Sequence, residues 1–137
     1  MKKRIAIVLN DRLATWQAIN VTGHLALALG NRAAPEIMGQ HPLVDASGIP
    51  HMGISRYPII ALRATAEQIR GVTHAARSRA ELLTADYPWE MLDTDTDSEL
   101  IAAMAAKAEA SFEYLGLAIL GPVRDVKSLT GALPLWK

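Results

Sequence analysis

The segment from Tyr114 to Leu135, YLGLAILGPVRDVKSLTGALPL, constrains the fold more than any other part of the chain. Leu115 to Leu120 is a continuous apolar run of strand length, the mark of a buried strand. Gly121-Pro122 is a stop signal. Arg124 to Thr130 then brings Val126 and Leu129 round at helical spacing. A buried strand leading directly into a short helix belongs to a layered α/β domain.

The rest of the chain reads the same way. Arg4 to Leu9 (RIAIVL) is a β-branched run and predicts a buried strand. A loop from Asn10 precedes a helix over about Trp16 to Leu29, with Thr15 or Asp11 as its cap and Gly30-Asn31 as its stop. Within residues 30–56 the stretch HPLVDASGIPHMG predicts a small hairpin turning at Asp45 to Gly48. Tyr57 to Arg63 is a second strand. Thr65 and Gln68 form a capping box for a helix to about Arg79, with Ile69, Val72 and Ala76 as its apolar stripe. Glu81 to Ala85 is a weaker third strand, and Asp86 to Asp97 an acidic loop. Thr96 and Glu99 form another capping box, for a helix burying Leu100, Met104 and Ala108. Strands alternating with helices predict one α/β domain over residues 1–137 with a mostly parallel sheet.

Composition narrows the function classes. The chain has no cysteine, which excludes disulfides, thiol catalysis and cysteine-ligated metals. Its formal net charge is zero, so no global attraction to nucleic acid or anionic membrane is expected. The charges are unevenly spread. Residues 1–80 carry ten Lys/Arg and four Asp/Glu, whereas residues 81–113 carry nine Asp/Glu and only Lys107. The apolar run after Met1-Lys2-Lys3-Arg4 ends at Asn10-Asp11, too soon for a secretory signal, and no segment is long enough to span a bilayer. A soluble cytoplasmic protein with no membrane partner is expected.

Four constellations carry candidate chemistry. Gln17, Asn20 and His24 share one face of the first helix, and Asp11, Arg12 and Thr15 lie in the loop before it. Ligands of open α/β sheets bind beyond the carboxyl ends of the strands, and a helix N-terminus favours an anion. Asp11, Gln17, Asn20 and His24 are therefore the ligand-binding candidates. Asp93, Asp95 and Asp97 imitate a calcium loop, but Ser98 stands where glycine is needed and Met104 where glutamate is needed, so no metal is expected. His41, Asp45 and His51 fall in the hairpin; a turn at residues 45–48 sets His51 opposite Pro42 and His41 opposite Met52, on opposite sides. Arg70, His74 and Arg77 make a basic stripe on the second helix, expected to be a solvated face. No phosphate-loop, dinucleotide or nucleophile-elbow motif is present, and no cofactor is expected.

The opening strand, Asp11, the helix carrying His24, the strand reaching Asp86, and the closing strand with Gly121-Pro122 and Thr130-Gly131 together resemble the type II peptidyl-tRNA hydrolases. More closely, the chain resembles an uncharacterised bacterial family, a domain of unknown function, of that fold. The resemblance implies a three-layer α/β/α domain with a mixed four-stranded sheet, order 2-1-4-3, strand 4 antiparallel, plus the hairpin as an insertion. It also implies a homodimer, and makes Asp86 and His24 the catalytic candidates. Aligned on His24, the family's lysine is Gln17 here and its glutamine is Val21; after Asp86 comes Tyr87-Pro88-Trp89 in place of Ala-Gly-x-Thr. Glutamine cannot supply the lysine's charge, whose loss costs on the order of a hundredfold in rate. The expected function is therefore a small-anion or nucleotide binding module without the hydrolase chemistry. The alternatives are an ester hydrolase acting on peptidyl-tRNA, and a homo-oligomeric interaction module whose acidic segment, with Trp89 and Met91, faces a basic partner.

Overall fold

The computed structural model describes residues 2–137. A four-stranded sheet is built from β1 (Lys3–Asn10), β4 (Ile59–Ala64), β5 (Leu83–Pro88) and β6 (Tyr114–Pro122), in the order β4-β1-β6-β5. β1 pairs parallel to β4, and β6 pairs antiparallel to both β1 and β5, so the sheet is mixed. The strong apolar runs occupy the two central strands. Residues of β1 from Ile5 onward and of β6 up to Gly121 are buried throughout, as a sheet covered on both faces requires.

Alternation divides those strands between two cores. Ile5, Ile7 and Leu9 join Ala118 and Leu120 against Ala18, Val21, Leu25 and Leu29 of α1 (Thr15–Arg32). Ala6, Val8, Leu117 and Ile119 point the other way, to Ile69 and Ala76 of α2 (Ala66–Arg77) and Val126 of α5 (Val123–Thr130). Gly116 lets α1 approach β6: a Cβ there would lie 2.7 Å from Val21 Cγ1 and 2.9 Å from Leu25 Cδ1. A separate two-stranded hairpin, β2 (Leu43–Val44) and β3 (Pro50–His51), lies between α1 and β4 in sequence.

Several boundaries differ from the sequence reading. α1 does not stop at Gly30; it runs to Arg32, and Ala33 and Ala34 turn extended before Pro35, which disfavours helix in the residue before it. Neither Thr15 nor Asp11 caps it. Ala14 is the N-cap, and its N–H is taken by the Gln17 side chain at 2.8 Å. Leu43 faces His51 and Val44 faces Pro50, one residue out of the expected register. The Asp45 carboxylate accepts from the Ser47 and Ile49 N–H groups, and Gly48 sits at φ +81°, which makes the loop one residue longer. β5 extends through Asp86 to Pro88, so the start of the expected acidic loop is strand. After it come α3 (Glu90–Asp93) and α4 (Asp97–Ala105), capped by Thr96 as expected. α4 buries none of its residues; Leu100 and Met104 are half-buried and Ala108 is exposed. Gly121-Pro122 does not end the last strand, because both pair with β1.

Candidate functional site

β1, β4 and β5 run in one direction, so their carboxyl ends share one edge of the sheet, together with the start of β6. Asn10 ends β1 there and is completely buried. Its Oδ1 accepts from the Arg12 N–H at 3.0 Å, and its Nδ2 donates to the Tyr114 carbonyl at 3.4 Å. One side chain thus ties the loop before α1 to the neighbouring strand and sets where Arg12 leaves the backbone. The other wall comes from the segment after β5: the Trp89 N–H donates to the Glu113 carbonyl at 2.9 Å.

Between these walls lies a cleft of about 300 Å³ lined by Arg12, Trp89, Glu90, Lys107, Ser111 and Glu113. Trp89 is 42% exposed. Glu90 is buried, and its Oε2 accepts from Lys107 Nζ at 2.5 Å. Glu90 Oε1 has no hydrogen-bond partner among the described residues. The cleft therefore offers a guanidinium, an ammonium, an indole face and two carboxylates. A larger cleft, about 600 Å³, opens by Lys2, Glu81 and the start of α5. It lies at the opposite edge of the sheet and no buried polar side chain lines it, so we favour the smaller one.

Of the ligand-binding candidates, Asn20 and His24 line one shallow cleft of about 250 Å³ on α1, and Gln17 and Asp11 are not part of its lining. Gln17 is occupied with the helix N-terminus. Asn20 Oδ1 accepts from the Tyr87 hydroxyl at 3.3 Å, and the His24 ring lies 5.9 Å from the Tyr87 ring. Burial pushes the Tyr87 hydroxyl above its usual pKa. Asp11 is exposed, with its N–H donating to the Ala64 carbonyl at 2.9 Å. The two catalytic candidates line one cleft of about 300 Å³ with Tyr87 and Asp97, but their side chains take different partners. Tyr87 faces α1 with His24, whereas Asp86, next in the alternation, turns to α2 and accepts from Arg77 Nη2 at 2.9 Å.

The basic stripe is not a solvated face. Arg70, His74 and Arg77 of α2 converge on Glu109, which lies in a short turn between α4 and β6. The Tyr114 hydroxyl donates to Glu109 Oε2 at 2.6 Å and accepts from Arg77 Nη2 at 3.0 Å. Both guanidinium groups lie against the Tyr114 ring, at 5.5 and 5.3 Å from its centroid. The Tyr114 and His74 hydrogen bonds, with the Arg70 charge, hold the Glu109 carboxyl down at about 2. Burial, then the bond to Glu109, raises the Tyr114 hydroxyl. Burial acts downward on Arg77, but its bonds to Tyr114 and Asp86 outweigh that and hold it above its ordinary value.

In the hairpin, His51 Nε2 meets Asp45 Oδ2 at 2.9 Å and His41 Nδ1 meets the Gly39 carbonyl at 2.8 Å, so each histidine has a local partner. Among the described residues, no three His, Asp or Glu side chains are placed to hold a metal. No helix among them is long and apolar enough to cross a membrane. No motif or local spacing singles out Glu90, Ser111 or Glu109 in the sequence. Lys107 was visible as the one cation in residues 81–113, but nothing local showed that it turns onto Glu90.

Residues 3–137 match a family described as protein of unknown function (DUF2000). No curated protein matches the chain. Among solved structures, a protein of unknown function from Agrobacterium tumefaciens strain C58 is similar, with 26% identity and a TM-score of 0.88, over 100% of this chain and 99% of that one.

Proposed function

We propose, for a chain that belongs to the DUF2000 family, a binding module for a small anionic ligand of the nucleotide class, seated in the cleft at the carboxyl edge of the sheet. The observation that carries this reading is the convergence of Arg12, Lys107 and the Trp89 indole on one cleft beyond the ends of β1 and β5. Arg12 and Lys107 would hold phosphate oxygens, and Trp89 offers a face on which a base stacks. Ser111 and Glu113 suit ribose hydroxyls. A cytoplasmic setting belongs to the same proposal. Titration calorimetry with adenosine monophosphate tests it. Binding that falls at least about tenfold in Trp89→Ala and in Arg12→Ala is expected from loss of a stacking contact or a charged hydrogen bond. No binding, or binding indifferent to both changes, would overturn the reading.

The finer fold relationship, to the type II peptidyl-tRNA hydrolases, is supported by the order β4-β1-β6-β5 with β6 antiparallel. The hydrolase chemistry is not favoured. Asp86 and His24 share a cleft, but the Asp86 carboxylate is engaged by Arg77, and Gln17 both replaces the lysine and is used as a helix cap.

A homodimer is the second reading, and α1 favours it. Trp16, Ile19 and Leu27 are 64%, 69% and 73% exposed along one side of the helix. A Cβ on Gly23, between them, would meet nothing within 4 Å, so no contact inside the chain requires that glycine. A second copy packed closely along α1 would use it. Sedimentation should show a dimer that Ile19→Lys converts to a monomer; a monomeric parent protein at high concentration sinks the idea.

A further inference from the structure

We propose that Arg70, His74, Arg77 and Tyr114 form a second site, made for a phosphate monoester, with Glu109 as its internal occupant. This rests on the cradle itself and not on the cleft at the strand ends. The donors outnumber the oxygens they serve. Arg70 Nη1 is shared between Glu109 Oε1 at 3.2 Å and Oε2 at 3.1 Å. His74 Nε2 is likewise divided, at 3.0 and 3.1 Å, while Arg77 Nη1 and the Tyr114 hydroxyl both reach Oε2. A planar carboxylate has two oxygens to offer. A phosphate monoester has three terminal oxygens and carries more charge, so the four donors can be spread over more acceptor atoms in three dimensions.

The occupant can be displaced by an anion that competes for the same donors. The Glu109 side chain is 44% exposed, so turning it into solvent uncovers little. Its departure does not release the chain segment. Arg70 Nη2 separately donates to the Glu109 carbonyl at 3.0 Å and the Phe112 carbonyl at 2.7 Å, which pins the backbone whatever the side chain does. With Glu109 turned out, the carboxylate left paired to the two guanidinium groups among the described residues is Asp86, on Arg77, and the cradle carries net positive charge. The same segment supplies Lys107, Ser111 and Glu113 to the cleft, so occupation of the cradle is felt at its wall.

The test is melting temperature against inorganic phosphate, with chloride as the control at matched ionic strength. Glu109→Ala should gain a saturable rise with phosphate and none with chloride. The parent protein should need about tenfold more phosphate for the same rise, because its own carboxylate competes. Glu109→Ala/Arg77→Met should lose the response. A folded Glu109→Ala protein with no rise beyond chloride, or a double variant that responds equally, overturns the proposal. If Glu109→Ala does not fold, Glu109→Gln keeps the side-chain shape. Phosphate-induced amide shifts in that variant confined to α2 and residues 109–114 support the site, and their absence refutes it.

Discussion

Glu109 holds a carboxylate against four donors, and its ionisation is therefore linked to folding. Its folded pKa, about 2, lies below the ordinary value of 4.5. A depressed carboxyl contributes stability that is present above the unfolded pKa and is lost as pH falls through the folded one. Melting temperature should therefore drop between about pH 5 and pH 2, and Glu109→Gln should flatten that part of the curve. A variant with the parent's acid profile would show that other carboxylates carry it. At Gly116 the matter is steric. Alanine would drive a methyl into Val21 and Leu25, costing about 1–3 kcal/mol, and chemical denaturation reads that loss directly. The sequence could not show either residue's role. Glu109 acts through partners on α2 far from it in the chain, and Gly116 looks like any glycine within an apolar run.

At the scale of elements, much of the chain was legible. The β-branched run of β1, the apolar run of β6 and the Thr65 capping box all sit where local rules put them. Thr65 accepts from the Gln68 N–H while Gln68 accepts from the Thr65 N–H. Thr65→Ala should cost about 1 kcal/mol, measured as a shift in denaturation midpoint with unchanged slope. What failed were readings that tertiary contacts decide. β5 has a mixed sequence, and its strand character past Ala85 comes from pairing with β6, so its polar end read as loop. α4 carries apolar residues at helical spacing but finds no core to bury them in. The Arg70 stripe looked solvated because its partners are carboxylates and carbonyls of the segment after α4. Arg70→Met should raise amide exchange over residues 106–113 while β1 and β6 keep their protection. Equal loosening throughout would mean that Arg70 supports the whole fold and not that segment.

For the whole molecule, the sheet acts as a partition. Alternation along β5 sends Tyr87 to the α1 side and the Asp86 carboxylate to Arg77 on the α2 side, so Asp86 and His24 border one cleft yet take different partners. The outer edge of β4 is also covered. Arg63 donates its N–H to the Pro134 carbonyl and Trp136 donates to the Ala61 carbonyl, so the segment after α5 pairs with that edge. Removing residues 133–137 should leave the sheet order intact but expose the edge, seen as concentration-dependent aggregation by light scattering. A truncated protein that stays monodisperse would show that the edge needs no cover.

The position of β6 has a consequence for how the protein is made. It lies between β1 and β5 in the sheet, yet it is synthesised after both. A growing polypeptide on the ribosome can pair β1 with β4, but β5 then has no neighbour and the apolar faces of β1 stay open on one side. The core closes only when residue 122 has emerged, so until then β1 and β5 wait for the strand that joins them.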